Sequence, residues 1–315
     1  MKLVTLQPIE EEGIHAIDPD IEIVRADRNS LETAVRDAEV LVGNPGSHWP
    51  RILKTARKLK WVHVASAGVE HLLCAEFRDS KVVLTCGKGD VAGPVLAEHA
   101  FALILALSRG IGECVRVGKW IGRDSAVAEG VFELGGKTIG LVGFGGVGRH
   151  LARMAQGFNM NVVAVRRSPG NTTIDAVNVW GSDRFLDMLA IADVVVVSVP
   201  DLPDTRAMFD AEAFRQMMNH ALLVTVGRGK TVHTEALVAA LKAGEIGGAG
   251  LDVVDPEPLP DDHPLWQMRN VIITSHNAGT SPERGGRNRA LMLENLKRFV
   301  RGEALLNVVD RETGY

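Results

Sequence analysis

Two α/β domains, each built on a doubly wound parallel sheet, are the fold class that three features of the sequence predict. The chain has 315 residues, more than a single hydrophobic core usually organises. Short apolar runs alternate with polar, helix-compatible stretches in two separate series, the pattern of parallel strands joined by crossover helices. The second series opens with IGLVGFGGVGRHLARM (residues 139–154), an apolar run that passes through Gly143, Gly145 and Gly148 into an amphipathic segment.

In chain order, the first strand candidates are KLVTL, IEIV, EVLV, WVHV and VVLT, separated by helical stretches such as SLETAVRDA and RILKTARKL. Then comes VLAEHAFALILAL (residues 95–107), a buried or interface helix: it carries Glu98 and His99 and falls short of the roughly 20 residues that span a bilayer. A Gly- and charge-rich connection, KWIGRDSAVAEGVFELGGK, leads to six further strand candidates: TIGLVG, NVVAV, DVVVVSV, ALLVTV, GGAGLDV and NVIITS. Six strands alternating with helices make a complete doubly wound sheet. A last helix opens in TSPERGGRNRALMLENLKRFV, where Ser281 can cap, Pro282 suits the first turn and Glu283 suits the helix dipole.

Composition narrows the function classes. Hydrophobic residues make up 46% and charged residues 23%, with a formal charge of −4, which gives no global basic field for nucleic acid. Cys74, Cys86 and Cys114 form no CxxC pair, so neither a disulfide framework nor a structural zinc site is indicated, and no metal is expected. The N-terminus turns acidic after a short strand-like run, unlike a secretory signal, and a cytoplasmic location is expected with neither membrane nor nucleic acid as partner.

Glycine costs backbone entropy and packs nothing, so three in one turn need a reason. Gly143 permits the tight strand-to-helix turn, Gly145 lets backbone approach a pyrophosphate, and Gly148 lets the helix pack closely on the strand. The phosphates would face free N–H groups at the helix start. A carboxylate about 20 residues further on would mark NAD by bonding the ribose 2′-hydroxyl. Here NVVAVRRSP places Arg166, Arg167 and Ser168 instead. Guanidinium groups can grip a 2′-phosphate that a carboxylate would repel, so NADP is favoured and NAD stays possible. The same arginines also suit a solvated strand end or stacking on adenine.

Downstream, TVGRGKTVHTEAL carries Arg228, GLDVVDPEPLP carries Glu257 and ITSHNAGTSPE carries His276, each just past a strand candidate. In an open parallel sheet these carboxyl ends border the ligand crevice. With LAEHAFALILAL, ELGGKTIGLVGFGGVG and HPLWQMRNVIITSHNAG, these segments resemble the D-isomer-specific 2-hydroxyacid dehydrogenase family, and in the first hundred residues ASAGVEHL adds to the likeness. The resemblance implies that Arg228 binds the substrate carboxylate and carbonyl, that His276 donates and accepts the proton, and that Glu257 supports His276. It further implies cofactor contacts at Gly146, Val147, Val199, Pro200, Thr205, Val226, Gly227, Asp252 and Gly279.

The chemistry is consistent with these roles. Reducing a 2-keto acid puts a hydride on C2 and builds negative charge on the carbonyl oxygen, which calls for a positioned acid and a fixed cation. A carboxylate beside the imidazole stabilises the positive ring and holds it in place. Taken singly, Arg228 also reads as a turn residue, Glu257 as a loop charge and His276 as a cap donor. SAGVE would present backbone amides around Ala67, Gly68 and Val69 to a carboxylate, and Trp49 in NPGSHWP would cover the substrate from a neighbouring loop. Two departures stand out: TSH replaces the proline that commonly precedes the histidine, and the acidic residue of the second strand is missing. Glutamate at 257 argues against formate oxidation, for which relatives carry glutamine.

The expected architecture is a flavodoxin-like substrate domain over residues 1–95 and 285–315, with a Rossmann cofactor domain over 96–284 and hinges near Pro94 and Pro282. The expected activity is hydride transfer between NADP(H) and a small 2-keto acid such as glyoxylate or hydroxypyruvate. Alternatives are an NAD-dependent D-lactate-type enzyme and a cofactor-sensing, corepressor-like binding protein. A homodimer through the helix from Val95 and the following GKWIGRD is what the resemblance implies for partners.

Overall fold

The computed structural model describes residues 1–120, 122, 130–167, 172–175 and 177–314. The chain divides into two compact units, Met1–Ala92 with Ser281–Tyr315, and Gly93–Thr280.

The first unit holds β1 (Lys2–Thr5), β2 (Glu22–Arg25), β3 (Val40–Val42), β4 (Trp61–Val64) and β5 (Val83–Cys86), all parallel in the order β2-β1-β3-β4-β5. The chain steps outward from β1 to β2 and returns across it to β3, so the strand order reverses between β1 and β3. β3 and β4 bury every residue, as strands covered on both faces must, whereas edge strand β2 leaves both ends exposed. Side chains alternate between two cores. Val4, Leu41, Val62 and Leu84 enter one; Leu3, Val40, Val42 and Trp61 enter the other, together with Met292 and Leu296 of the helix Pro282–Arg301. That helix starts where its sequence says it should: Ser281 Oγ accepts the Arg284 N–H at 3.1 Å, and Pro282 occupies the first turn.

A polar set is enclosed between β4, β5 and this late helix. Trp61 Nε1 donates to Thr85 Oγ1 at 2.8 Å, so the threonine proton is free to go to His63 Nδ1 at 2.9 Å, and His63 Nε2 then donates to Asn288 Oδ1 at 3.3 Å. The arrangement satisfies a neutral imidazole. Burial pushes the His63 pKa down to about 4. Because the folded value lies below the ordinary one, the stabilisation is full above about pH 6.5 and is lost as pH falls from there toward 4. Wild type is expected to lose roughly 3 kcal/mol more unfolding free energy over that interval than His63→Asn, whose side chain does not titrate. Urea unfolding at the two ends of the interval checks this, and equal losses would exclude it.

The second unit holds β6 (Thr138–Val142), β7 (Asn161–Arg166), β8 (Thr172–Ile174), β9 (Val177–Gly181), β10 (Val194–Val197), β11 (Leu222–Thr225), β12 (Gly248–Leu251) and β13 (Val271–Ile273). Their order is β13-β12-β11-β10-β6-β7-β9-β8, parallel except for β8 on β9. The six expected strands are present, and β8 and β9 extend the sheet beyond them. These two were illegible in sequence because β8 is three residues long and the polar Asn178 breaks the apolar run of β9. In β10, Val195 and Val197 enter one core while Val194 and Val196 enter the other. The helix Gly93–Ser108 covers the second face with Ala97, Ala100, Phe101 and Ile104. Gly250 in β12 admits it closely, since a Cβ there would lie 3.0 Å from Leu103 Cβ. Among the described residues no single helix is long and apolar enough to cross a membrane.

Candidate active site

In the second unit β6 runs straight into the glycine turn. Gly143 has φ +99°, a region that side-chain-bearing residues avoid, and its N–H donates to Val165 O at 2.9 Å. A Cβ at Gly148 would sit 2.4 Å from Gly143 O, so the helix Gly146–Gly157 can pack this tightly only with glycine there. Gly145 is its extended N-cap and no side chain caps it, which leaves the first N–H groups, including that of Val147, facing outward from the turn. That cradle fits the phosphates of a dinucleotide. β7 ends on Arg166, which is partly exposed; Arg167, which is exposed, follows it, and Ser168 lies outside the described residues.

The neighbouring strand ends close on the turn. After β10, Val199 and Pro200 lead into a loop that Thr205 ties, its Oγ1 donating to Pro200 O at 2.6 Å and accepting from Leu202 N at 2.9 Å. After β11, Val226 is buried, and a Cβ on Gly227 would come within 2.7 Å of Val199 O. Arg228 follows, with Nη1 donating to Gly227 O at 2.7 Å. A Cβ on Gly229 would lie 1.9 Å from Val254 O, so the Arg228 loop lies directly on the backbone that leads to Glu257. The glycines flanking Arg228 are there for contact between loops.

β12 delivers Asp252. It is 2% exposed, and its carboxylate is turned to the protein: it accepts Thr274 Oγ1 at 2.7 Å, Asn277 N at 3.0 Å and Ala278 N at 3.1 Å, while its own carbonyl accepts His276 N at 2.9 Å. His276 is thereby held at φ +50°, a left-handed conformation that histidine tolerates better than most residues. Its Nδ1 lies 2.5 Å from Glu257 Oε1, and both side chains are about half exposed. Nε2 is the ring atom left for chemistry on the other side. Gly279 continues the same loop.

In the first unit Ala67, Gly68 and Val69 follow β4 and run into a 3₁₀ turn, Glu70–Leu72. Gly87 N donates to Ser66 O at 3.0 Å and Arg284 Nη2 to Ala65 O at 3.3 Å, which anchors the base of this loop. The expectation that Trp49 covers the substrate is corrected: Trp49 is 1% exposed, packs near Phe77, and donates its indole N–H to Leu72 O at 2.9 Å. A large apolar ring gains more from the core beneath the loop than from solvent, and its one donor finds a backbone carbonyl there.

The family profile for the NAD binding domain of the D-isomer specific 2-hydroxyacid dehydrogenases matches residues 101–278, more than half the chain. The chain belongs to that family. A glyoxylate reductase of Pyrococcus furiosus is 32% identical over 326 aligned positions, covering 99% of this chain and 96% of the relative. A D-isomer specific 2-hydroxyacid dehydrogenase family protein of Aeromonas salmonicida shares the fold with a TM-score of 0.81 at 30% identity, covering 99% of each chain. The NADPH-dependent glyoxylate/hydroxypyruvate reductase of Sinorhizobium meliloti, solved with NADP and sulfate, has a TM-score of 0.81 at 25% identity, covering 100% of this chain and 99% of that one. The protein is accordingly an NAD(P)-dependent 2-hydroxyacid dehydrogenase.

In this dehydrogenase the histidine loop has a support that no local sequence signal marks. His99 Nε2 lies 2.9 Å from Thr274 Oγ1 and 3.5 Å from Asp252 Oδ1, so a helix residue, a strand-end residue and a buried carboxylate together brace residues 274–278. Nothing local distinguishes Thr274 from any other threonine past a strand. His99 was legible only as a polar residue in an otherwise apolar helix.

Proposed function

We propose that this dehydrogenase reduces small 2-keto acids such as glyoxylate or hydroxypyruvate to D-2-hydroxy acids with NADPH. The observation that carries the reading is the His276–Glu257 pair on strand-end loops of the cofactor-binding unit, 2.5 Å apart. The nicotinamide cofactor, when held at the glycine turn after β6, would supply the hydride that C2 receives. His276 gives a proton to the carbonyl oxygen as charge builds there, and Glu257 keeps the ring oriented and stabilises its positive form. Arg228 holds the carboxylate and polarises the carbonyl, and the amides of residues 67–69 receive the carboxylate. Binding a cofactor alone requires no proton donor, and the imidazole paired with a carboxylate favours the enzyme over a cofactor-sensing binding protein.

The preference for NADP rests on Arg166 and Arg167 at the end of β7, where a carboxylate would serve NAD. The NADP bound by the Sinorhizobium reductase accords with it. The KM for NADPH is expected to be lower than for NADH, and Arg166→Asp is expected to shift the preference toward NADH by roughly 10- to 100-fold, the weight of one charge-assisted contact. Initial rates with both cofactors decide the matter, and equal use of NADH by wild type would end it. Homodimer formation is part of the same reading: Ile111 and Val115 on the short helix Ile111–Val117, and Trp120 just after it, are 50%, 75% and 92% exposed, a surface suited to a second copy.

A further inference from the structure

The first unit contains a cavity of about 390 Å³ that the reaction above leaves unused. Its walls include Gln7 after β1, Asp27 and Arg28 after β2, and Gly43 and Asn44 after β3. These are the carboxyl ends of adjacent strands at the place where the strand order reverses, and an open parallel sheet leaves its crevice there. Gly43 lets the ends of β1 and β3 lie this close: its φ is +124°, and a Cβ would lie 2.7 Å from Leu6 Cβ.

The two charges in the wall differ in what they offer. Asp27 Oδ1 is occupied by its own turn, accepting Ser30 N at 2.8 Å and Ser30 Oγ at 2.6 Å. Among the described residues the Arg28 guanidinium has neither an ion pair nor a hydrogen bond. The wall therefore carries one cation without an ion pair, Arg28, beside Gln7 and beside the Asp27 carboxylate whose Oδ1 its own turn holds, and the planar fork of the guanidinium suits a ligand carboxylate. It also adjoins the substrate loop. Gly43 N donates to His63 O at 2.8 Å, which places the ends of β3 and β4 side by side, and Asn44 Nδ2 lies 3.0 Å from His71 Nε2 in the turn that follows residues 67–69.

We propose that this cavity receives the far end of the substrate, and that Arg28 selects 2-keto acids with a second carboxylate on a short chain. The inference rests on the reading that residues 67–69 hold the first carboxylate. Glyoxylate has no atoms beyond its carbonyl to place in such a volume, whereas a five-carbon 2-oxo diacid has a chain and a charge to fill it.

The test measures kcat/KM with NADPH for 2-oxoglutarate, for 2-oxopentanoate, which has the same length without the second carboxylate, and for glyoxylate. Wild type is expected to favour the diacid over 2-oxopentanoate by about 10-fold or more, and Arg28→Gln to lower the ratio of diacid to glyoxylate by about 10- to 100-fold. Equal kcat/KM for the diacid and 2-oxopentanoate in wild type, or an unchanged ratio in Arg28→Gln, overturns the proposal while glyoxylate turnover leaves the reductase reading intact. Failure to reduce any 2-keto acid overturns both.

Discussion

Replacing His276 by Asn is expected to cut kcat for keto-acid reduction by a factor on the order of 10² to 10⁴, the contribution of a positioned acid, while NADPH binding stays close to wild type. The separation follows from where the residue sits. His276 stands on a loop fixed from below by Asp252 through three backbone N–H groups, those of His276, Asn277 and Ala278, and none of those bonds involves the imidazole. Removing the ring should leave the loop and the glycine turn in place. Glu257→Gln keeps the shape and removes the charge, and it is expected to lower kcat by a smaller factor. If Glu257 acts only through the imidazole it touches at 2.5 Å, as proposed, the double variant should be no slower than His276→Asn alone. Steady-state rates and cofactor binding by fluorescence check each step. Multiplying losses in the double variant would show that the glutamate has a role of its own.

Arg228→Ala is expected to reduce kcat/KM for the keto acid on the order of 10² to 10³, as loss of a fixed donor to the developing oxyanion does. Arg228→Lys should recover only part of that, because a point charge on a flexible stem replaces a planar fork. Gly227 and Gly229 hold the arginine's backbone against Val199 and Val254, so its position is set by neighbouring loops and both variants should keep the fold. Near-wild-type kinetics for Arg228→Lys would reduce the arginine to a turn residue.

Several features were legible in the residues alone because each depends on neighbours in the chain. The alternating apolar runs set the strands, three glycines at fixed spacing set the turn after β6, Ser281 and Pro282 set the start of the late helix, and Arg228, Glu257 and His276 each follow a strand run. Local spacing says which face a side chain takes and where a helix can begin. It is silent on which distant segment that side chain meets.

Tertiary structure alone decided the rest. Trp49 sits under the loop that follows β4 because the core offered it both burial and Leu72 O. Asp252 faces the histidine loop because β12 and β13 are paired side by side, which brings residues 252 and 274–278 together. His63 and Asn288, 225 residues apart, meet only because the last helix packs on the first sheet. The Arg28 cavity exists because three strand ends that are far apart in sequence are adjacent where the order reverses. The chain specifies elements and chemical types by short-range pattern, and long-range packing determines their partners, since a buried polar group must find a hydrogen-bonding partner wherever the fold supplies one.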